Sequence, residues 1–294
     1  MHKYISHRIL NIGLRVGLGL LAATAVANAQ QYNPTAPRQD EMYCSGVITD
    51  KAVPNNLYLI SGEDSAYKIT YDPGDFVFIN AGQGQGAKIG DQFEVIRPVT
   101  DHMPQVMWFK YQESLTKAMG TRYADIGRLR IVRVDAKTST AVVAMGCDVM
   151  QRGDLVRPFA ARPIPQFHNV KLDPLAPPSG KKTAMVVSGK DYQELTGPGK
   201  IVYVNLGGEQ GVRIGDYFRV FRYQGSRAEA NYTYKDAAYK VYGFGSTPLA
   251  YTWNDLPREV LGEGIVLRVG PNSSTVLVTA ARREIFVGDY VEVE

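Results

Sequence analysis

The sequence predicts an all-β fold: two tandem small β-barrel-like domains from an internal duplication, joined by a proline-rich linker. Three observations predict it. Residues 75–97 read DFVFINAGQGQGAKIGDQFEVIR and residues 200–222 read KIVYVNLGGEQGVRIGDYFRVFR, matching Asn80/Asn205, Gly82/Gly207, Gly86/Gly211, Gly90/Gly215, Asp91/Asp216 and Phe93/Phe218 at a fixed offset of 125. A second block, from Ile126-Gly127 to Gly153-Asp154, matches Leu261-Gly262 to Gly288-Asp289 at an offset of 135. In both copies the apolar residues come in short β-branched and aromatic runs ending in Asn, Gly or Asp, as strands do at turns. A period this long marks one folded unit present twice, whereas a solenoid repeats every few dozen residues.

In chain order, residues 1–29 read as a secretory signal peptide. Lys3, Arg8 and Arg15 precede an apolar run over 16–26, and Ala27-Asn28-Ala29 supplies a small-x-small cleavage site before Gln30. The run is short for a membrane span and no later stretch is apolar enough, so no transmembrane segment is expected after cleavage. Cleavage removes three of the 33 basic residues and none of the 29 acidic ones, leaving the mature chain near neutrality. The basic balance therefore belongs to the export signal, and no basic cluster remains to suggest nucleic acid. The expected location is the periplasm or the cell surface.

Residues 30–41 are polar, carry Pro34 and Pro37, and are expected to form a disordered lead-in. Copy one follows over 42–158, with strands expected at 76–79, 93–96 and 154–156 and a hairpin of 128–134 with 141–144. Residues 159–181 contain Pro163, Pro165, Pro174, Pro177 and Pro178, which predict a semi-rigid, extended linker. Copy two, over 182–294, repeats the pattern at 201–204, 218–221, 265–269 with 276–279, and 289–291. A few short strands per copy imply a small, strongly curved sheet, and closing it removes exposed edges.

The conserved spacing of small residues inside the repeat has a structural reading. Asn80-Ala81-Gly82 and Asn205-Leu206-Gly207 predict tight turns at positive φ, where Asn and Gly carry the lowest steric cost. Gly90-Asp91, Gly153-Asp154, Gly215-Asp216 and Gly288-Asp289 each precede a strand, where the carboxylate can accept hydrogen bonds from its own turn.

Cys44 and Cys147 are the only cysteines, and an even count in an exported chain favours one disulfide. It would tie a strand just before copy one to the last hairpin of that copy. Closing so long a loop is worth up to ~4.7 kcal/mol on chain-entropy grounds. Arg282 stands where copy one has Cys147, so the bridge is no part of the repeated design, and two free thiols are the alternative. There is no CxxC, and neither a metal nor another cofactor is expected.

The motifs that resemble catalytic ones fail on their details. Gly82-Gln83-Gly84-Gln85-Gly86 lacks the Lys-Ser/Thr of a phosphate loop, and copy two places Glu209 where a phosphate would lie. Asp91 and Asp216 sit at equivalent positions, but neither has the flanking sequence of an aspartyl dyad. His102 and His168 are the only histidines beyond the signal, and no Gly-x-Ser-x-Gly elbow accompanies them. A non-enzyme is expected.

The copies differ in what they insert. Insert 99–123 carries Met103, Met107, Trp108, Phe109 and Tyr111, with a short helix expected over 111–119. Insert 223–257 carries Tyr232, Tyr234, Tyr239, Tyr242, Phe244, Tyr251 and Trp253. Tyr232/Tyr234 and Tyr251/Trp253 have the period-two spacing that puts each pair on one face of a β-arm. Large aromatics with polar tips suit a surface buried only when a partner or a sugar arrives. The competing reading is an arm folded back over its own barrel.

The run Gly86-Ala87-Lys88-Ile89-Gly90-Asp91, its counterpart Gly211-Val212-Arg213-Ile214-Gly215-Asp216, and the later Gly153-Asp154 and Gly288-Asp289 resemble modules of bacterial envelope proteins. They are most similar to the C-terminal β-barrel domain of the flagellar assembly protein T family, and to modules that accompany LysM domains. No LysM sequence is present here, so the resemblance implies fold and compartment rather than a flagellar role. The expected function is a non-enzymatic structural or assembly protein of the cell envelope. It binds another envelope protein, or itself, through Trp108, Tyr232, Tyr234, Tyr239, Tyr242, Tyr251 and Trp253. The alternative is a glycan- or peptidoglycan-binding module that stacks those rings on sugars.

Overall fold

The computed structural model describes residues 34–99, 111–169, 171–223 and 257–294, whose regular structure is mostly strand with little helix. A short helix, α1 (Gln39–Tyr43), leads into β1 (Val47–Thr49), β2 (Leu59–Gly62), β3 (Thr70–Tyr71), β4 (Phe76–Ile79) and β5 (Gln92–Pro98). Helix α2 (Gln112–Met119) then precedes β6 (Thr121–Val134), β7 (Ser139–Gly146), β8 (Met150–Gln151) and β9 (Leu155–Pro158). The second half runs β10 (Thr183–Gly189), β11 (Leu195–Thr196), β12 (Ile201–Val204) and β13 (Tyr217–Arg222), then β14 (Glu259–Val269), β15 (Ser274–Ala281), β16 (Ile285–Phe286) and β17 (Tyr290–Val293). None of the helices among the described residues is long and apolar enough to cross a membrane.

The second half is a closed six-stranded barrel in the order β10-β12-β15-β14-β13-β17. The first half follows the same path, β2-β4-β7-β6-β5-β9, with β1 added beside β6. Breaks in register fall at corresponding places in the two sheets: Leu59/Ser61 and Val186/Ser188, Val95/Ile96 and Val220/Phe221. Such bulges increase local twist and let a small sheet curl upon itself. Alternate side chains then fill each interior, with Leu59, Val77, Ile79, Val95, Leu129 and Ile131 in the first and Val186, Val202, Val204, Phe218, Val266 and Val278 in the second.

Closure differs between the two. The first sheet has no full β2–β9 ladder; a single bridge, Tyr58↔Leu155, spans the gap. Backbone bonds from Leu59 N to Asp154 O (2.8 Å) and Val156 N to Leu57 O (3.0 Å) complete it. Pro54, which has no N–H to donate, stands just upstream and leaves only a short stretch before β2 to pair.

Three expectations need correction. Residues up to 41 are not all disordered: Gln39–Tyr43 is helical, and Met42 is fully buried against Ile201, Tyr217, Ile265, Leu267 and Leu277 of the second barrel. Cys44 accordingly ends a helix rather than lying in a strand, and it is bonded to Cys147 with a Cα–Cα distance of 5.3 Å. Gly82 and Gly207 are extended, at φ −112° and −139°, so positive φ is not their reason. A Cβ on Gly82 would sit 2.4 Å from the Lys137 carbonyl carbon, and one on Gly207 would sit 2.4 Å from Ser273 N. Close backbone approach across the barrel end is what excludes a side chain there. Positive φ belongs instead to Gly90 (+92°) and Gly215 (+91°).

Candidate interaction surface

Each Gly-Asp turn is locked by its own carboxylate. Asp91 Oδ2 accepts from Lys88 N (2.9 Å), Asp216 from Arg213 N (2.8 Å), Asp154 from Gln151 N (2.9 Å) and Asp289 from Phe286 N (2.7 Å). Asp154 and Asp289 also take a forked contact from an arginine: Arg97 Nε and Nη2 lie 2.6 and 2.8 Å away, and both Arg222 contacts are 2.7 Å. Sequence reasoning missed these arginines, although both close the 75–97 and 200–222 blocks at the same offset of 125. The turns thus fasten the strands from which the inserts depart.

Both inserts leave between paired strands. The first is rooted at the Pro98↔Tyr123 pair and the second at Arg222↔Glu259. At the second root Phe221 is fully buried with Val260 and Ala176, and it meets Tyr223 edge-on at 5.3 Å between ring centroids. Tyr223 in turn meets Tyr290 at 5.0 Å. Arg258 lies 4.3 Å from the centre of the Phe221 ring and donates to Glu292 Oε2 at 2.8 Å. Burial acts to raise the Glu292 pKa, but the hydrogen bonds and charges of Arg258 and the Ser179 N–H outweigh it, and the carboxyl stays below its ordinary value. The root of the insert is therefore packed and charge-compensated.

The described residues of the proline-rich stretch form neither helix nor strand and are tied to the rest of the protein at several points. Arg162 donates to Met42 O (3.0 Å), His168 N to Tyr217 Oη (3.0 Å) and Val260 N accompanies Pro174 O (2.9 Å). Arg258 Nη2 reaches Pro177 O at 2.8 Å.

The described part of the first insert has a clear use. Helix α2 and strand β1 lie across the outer face of the second barrel, where Ile48, Met119 and Leu115 pack on Val187 and Tyr203. Gln112 Nε2 donates to Val187 O (2.9 Å), Tyr203 Oη to Ser45 O (2.9 Å) and Thr275 Oγ1 to Gly46 O (3.1 Å). Gly46 has φ +68°, and a Cβ there would lie 2.5 Å from Tyr203 Oη, so this crossing requires glycine. Asp125 ties the contact together by accepting from Gly46 N (2.7 Å) and, on both oxygens, from Arg268 Nη1 (2.9 Å).

Trp108, Tyr232, Tyr234, Tyr239, Tyr242, Tyr251 and Trp253 lie outside the described residues. The structure therefore places their roots, not their rings. Among the described residues no group of three His, Cys, Asp or Glu side chains is arranged to hold a metal ion. A shallow, open depression of about 520 Å³ is lined by Lys181, Lys182, Arg213 and Asp216, but Lys181 Nζ is spent on Glu294 O and Asp216 on its own turn.

One buried carboxyl stands out on the outer face of β14. Glu263 is 2 % exposed, accepts from Thr279 Oγ1 at 3.4 Å, and leaves Oε2 without a partner. Burial, reinforced by the charge of Glu294, outweighs the Thr279 hydrogen bond and Arg219 and pushes its pKa up from 4.5 to about 7. The folded protein thus holds a proton that the unfolded chain releases. Its contribution is fully present below pH 4.5 and lost as pH rises through about 7. The loss amounts to about 3 kcal/mol at most. Glu263→Gln is expected to remove this dependence and to raise stability at pH 8 relative to the parent. Urea unfolding at pH 5 and pH 8 checks it, and equal parent-to-variant differences at both values would refute it.

No protein-family model and no curated protein matches the chain.

Proposed function

We propose that this is an exported, non-enzymatic assembly protein of the cell envelope that holds a protein partner through its aromatic inserts. The observation that supports this is the use already made of the first insert. Its helix α2 is a docking element, laid across a barrel that is not its own and fixed by Gln112, Leu115 and Met119. Residues 224–256 depart from the corresponding place between β13 and β14, on a base stiffened by Phe221, Tyr223, Arg258 and Tyr290. Their sequence supplies Tyr232, Tyr234, Tyr239, Tyr242, Tyr251 and Trp253, residues that bury large area with little rotamer entropy to lose. The disulfide fits an oxidising compartment, and the signal-like residues 1–29 fit export to it.

A photo-crosslinking residue in place of Tyr239, illuminated in living cells, tests the reading. The expected result is a discrete shifted band containing a second polypeptide. A muramidase-sensitive smear would replace the protein partner with wall glycan, and the absence of any adduct would overturn the role of the insert.

A further inference from the structure

The two barrels carry the same outer face, and described residues cover only one of them. Matching registers fix the correspondence. Phe76 pairs across the sheet with Val142 and Phe78 with Thr140, as Ile201 pairs with Leu277 and Tyr203 with Thr275. Ile60 lies in the β2 bulge as Val187 lies in the β10 bulge. On the second barrel Val187 and Leu277 are 0 % exposed, Tyr203 is 1 % and Ile201 is 9 %, all beneath α1, β1 and α2. On the first barrel Ile60 is 38 % exposed, Phe78 37 % and Phe76 44 %, with Tyr58 beside them at 42 %. Two phenylalanines and an isoleucine on one bare sheet face form the kind of apolar patch that marks a contact surface.

We propose that this face of the first barrel docks a second copy of the chain, which lays its residues 224–256 across it. The order of elements points to that occupant. Within the chain, the insert between β5 and β6 supplies the helix that covers the neighbouring barrel's face. Residues 224–256 hold the corresponding place between β13 and β14, and the corresponding face still bare is that of the first barrel. A contact between an insert and a barrel face, seen once inside the molecule, is then repeated between molecules. Because donor and acceptor are different surfaces, the contact is head-to-tail and builds chains or rings rather than a twofold dimer.

The two contacts differ in charge. Arg268 finds Asp125 in the existing one, but its counterpart Arg133 is paired with Asp135 in its own turn (3.0 Å), and the counterpart of Asp125 is Val260. The intermolecular contact is thus apolar and aromatic, and screening by salt leaves it standing.

The inference rests on the reading of the inserts as partner-binding elements, and two variants test it separately. Phe76→Thr with Phe78→Thr blunts the face at exposed strand positions. Replacing 225–255 by a short Gly-Ser link removes the donor. Sedimentation of the purified, oxidised mature protein is expected to show a mass that grows with concentration and persists in high salt. Each variant alone, with an unchanged melting curve, is expected to be a monomer. An equimolar mixture of the two is expected to form a dimer of one of each and nothing larger, since one keeps only the donor and the other only the acceptor. A parent chain that stays monomeric, a face variant that assembles like the parent, or a mixture without heterodimer would each overturn it. A monomeric parent whose Tyr239 position still crosslinks to another protein would sink the self-docking while leaving the partner-binding reading intact.

Discussion

Asp125→Ala is expected to destabilise the protein by about 3–5 kcal/mol, the usual cost of removing one partner from a buried ion pair. Its side chain is 4 % exposed and that of Arg268 is 11 %. The substitution strands the Arg268 guanidinium and the Gly46 N–H, which donate to Asp125 at 2.9 and 2.7 Å. Arg162, whose own pKa is lowered first by burial and then by the charge of Arg268, loses a nearby compensating carboxylate as well. Because Asp125 belongs to the first module and Arg268 to the second, the loss falls on the contact between them. Urea unfolding followed separately in each module is expected to pass from one transition to two. Asp125→Leu combined with Arg268→Met should recover much of the loss, since apolar residues of similar volume replace buried pairs at little cost. A shift smaller than about 1 kcal/mol for the single variant would refute the assignment.

Cys44→Ser is expected to cost about 2–5 kcal/mol. The bridge spans 103 residues, and its Cα–Cα distance of 5.3 Å lies within the ordinary range. Its position adds to the effect. Cys44 joins α1 to β1, the segment that carries Met42 and Ile48 onto the second barrel, so releasing it loosens a contact outside the closed loop. Melting under oxidising and reducing conditions checks this. At about 2–4 °C for each kcal/mol in a protein of this size, an unchanged midpoint on reduction would be plain.

Much of the fold was legible because turn chemistry is local. Gly90-Asp91 and Gly215-Asp216 announce a turn through the residues themselves, and the structure returns the same carboxylate-to-backbone bond in both. The β6–β7 and β14–β15 hairpins were readable in part, as 128–134 with 141–144 and 265–269 with 276–279, although β6 begins earlier, at Thr121, and β14 at Glu259. What depended on distant partners was not. Gly82 has no local requirement; its need for a bare Cα comes from Lys137 and Thr138 across the barrel end. Residues 30–41, polar and proline-containing, read as disordered, and nothing local announces the helix that starts at Gln39 and carries Met42, just beyond them, onto the second barrel's face. The forked Arg97–Asp154 and Arg222–Asp289 pairs join residues 57 and 67 apart in sequence, and nothing near either arginine names its carboxylate. The candidate interaction surface divides the same way: repetition located the inserts, but only burial could show that one barrel face is covered and the other bare.

The segment from Thr35 to Ile48 is clasped by β15 and the residue before it. Thr35 N bonds Thr279 O at 2.7 Å, Ser273 Oγ donates to Ile48 O across 225 residues, and Thr275 Oγ1 donates to Gly46 O across 229. The segment that carries Met42 and Ile48 thus has no home until β15, some 225 residues further on, has paired, and both side chains must wait in water until then. Long-range closures of this kind slow the final step of folding and lengthen the exposure of unpaired apolar chain. The order in which the polypeptide is made therefore runs against the order in which it can be finished, and a chain cut short near β14 would lack the surface that its own beginning is built to meet.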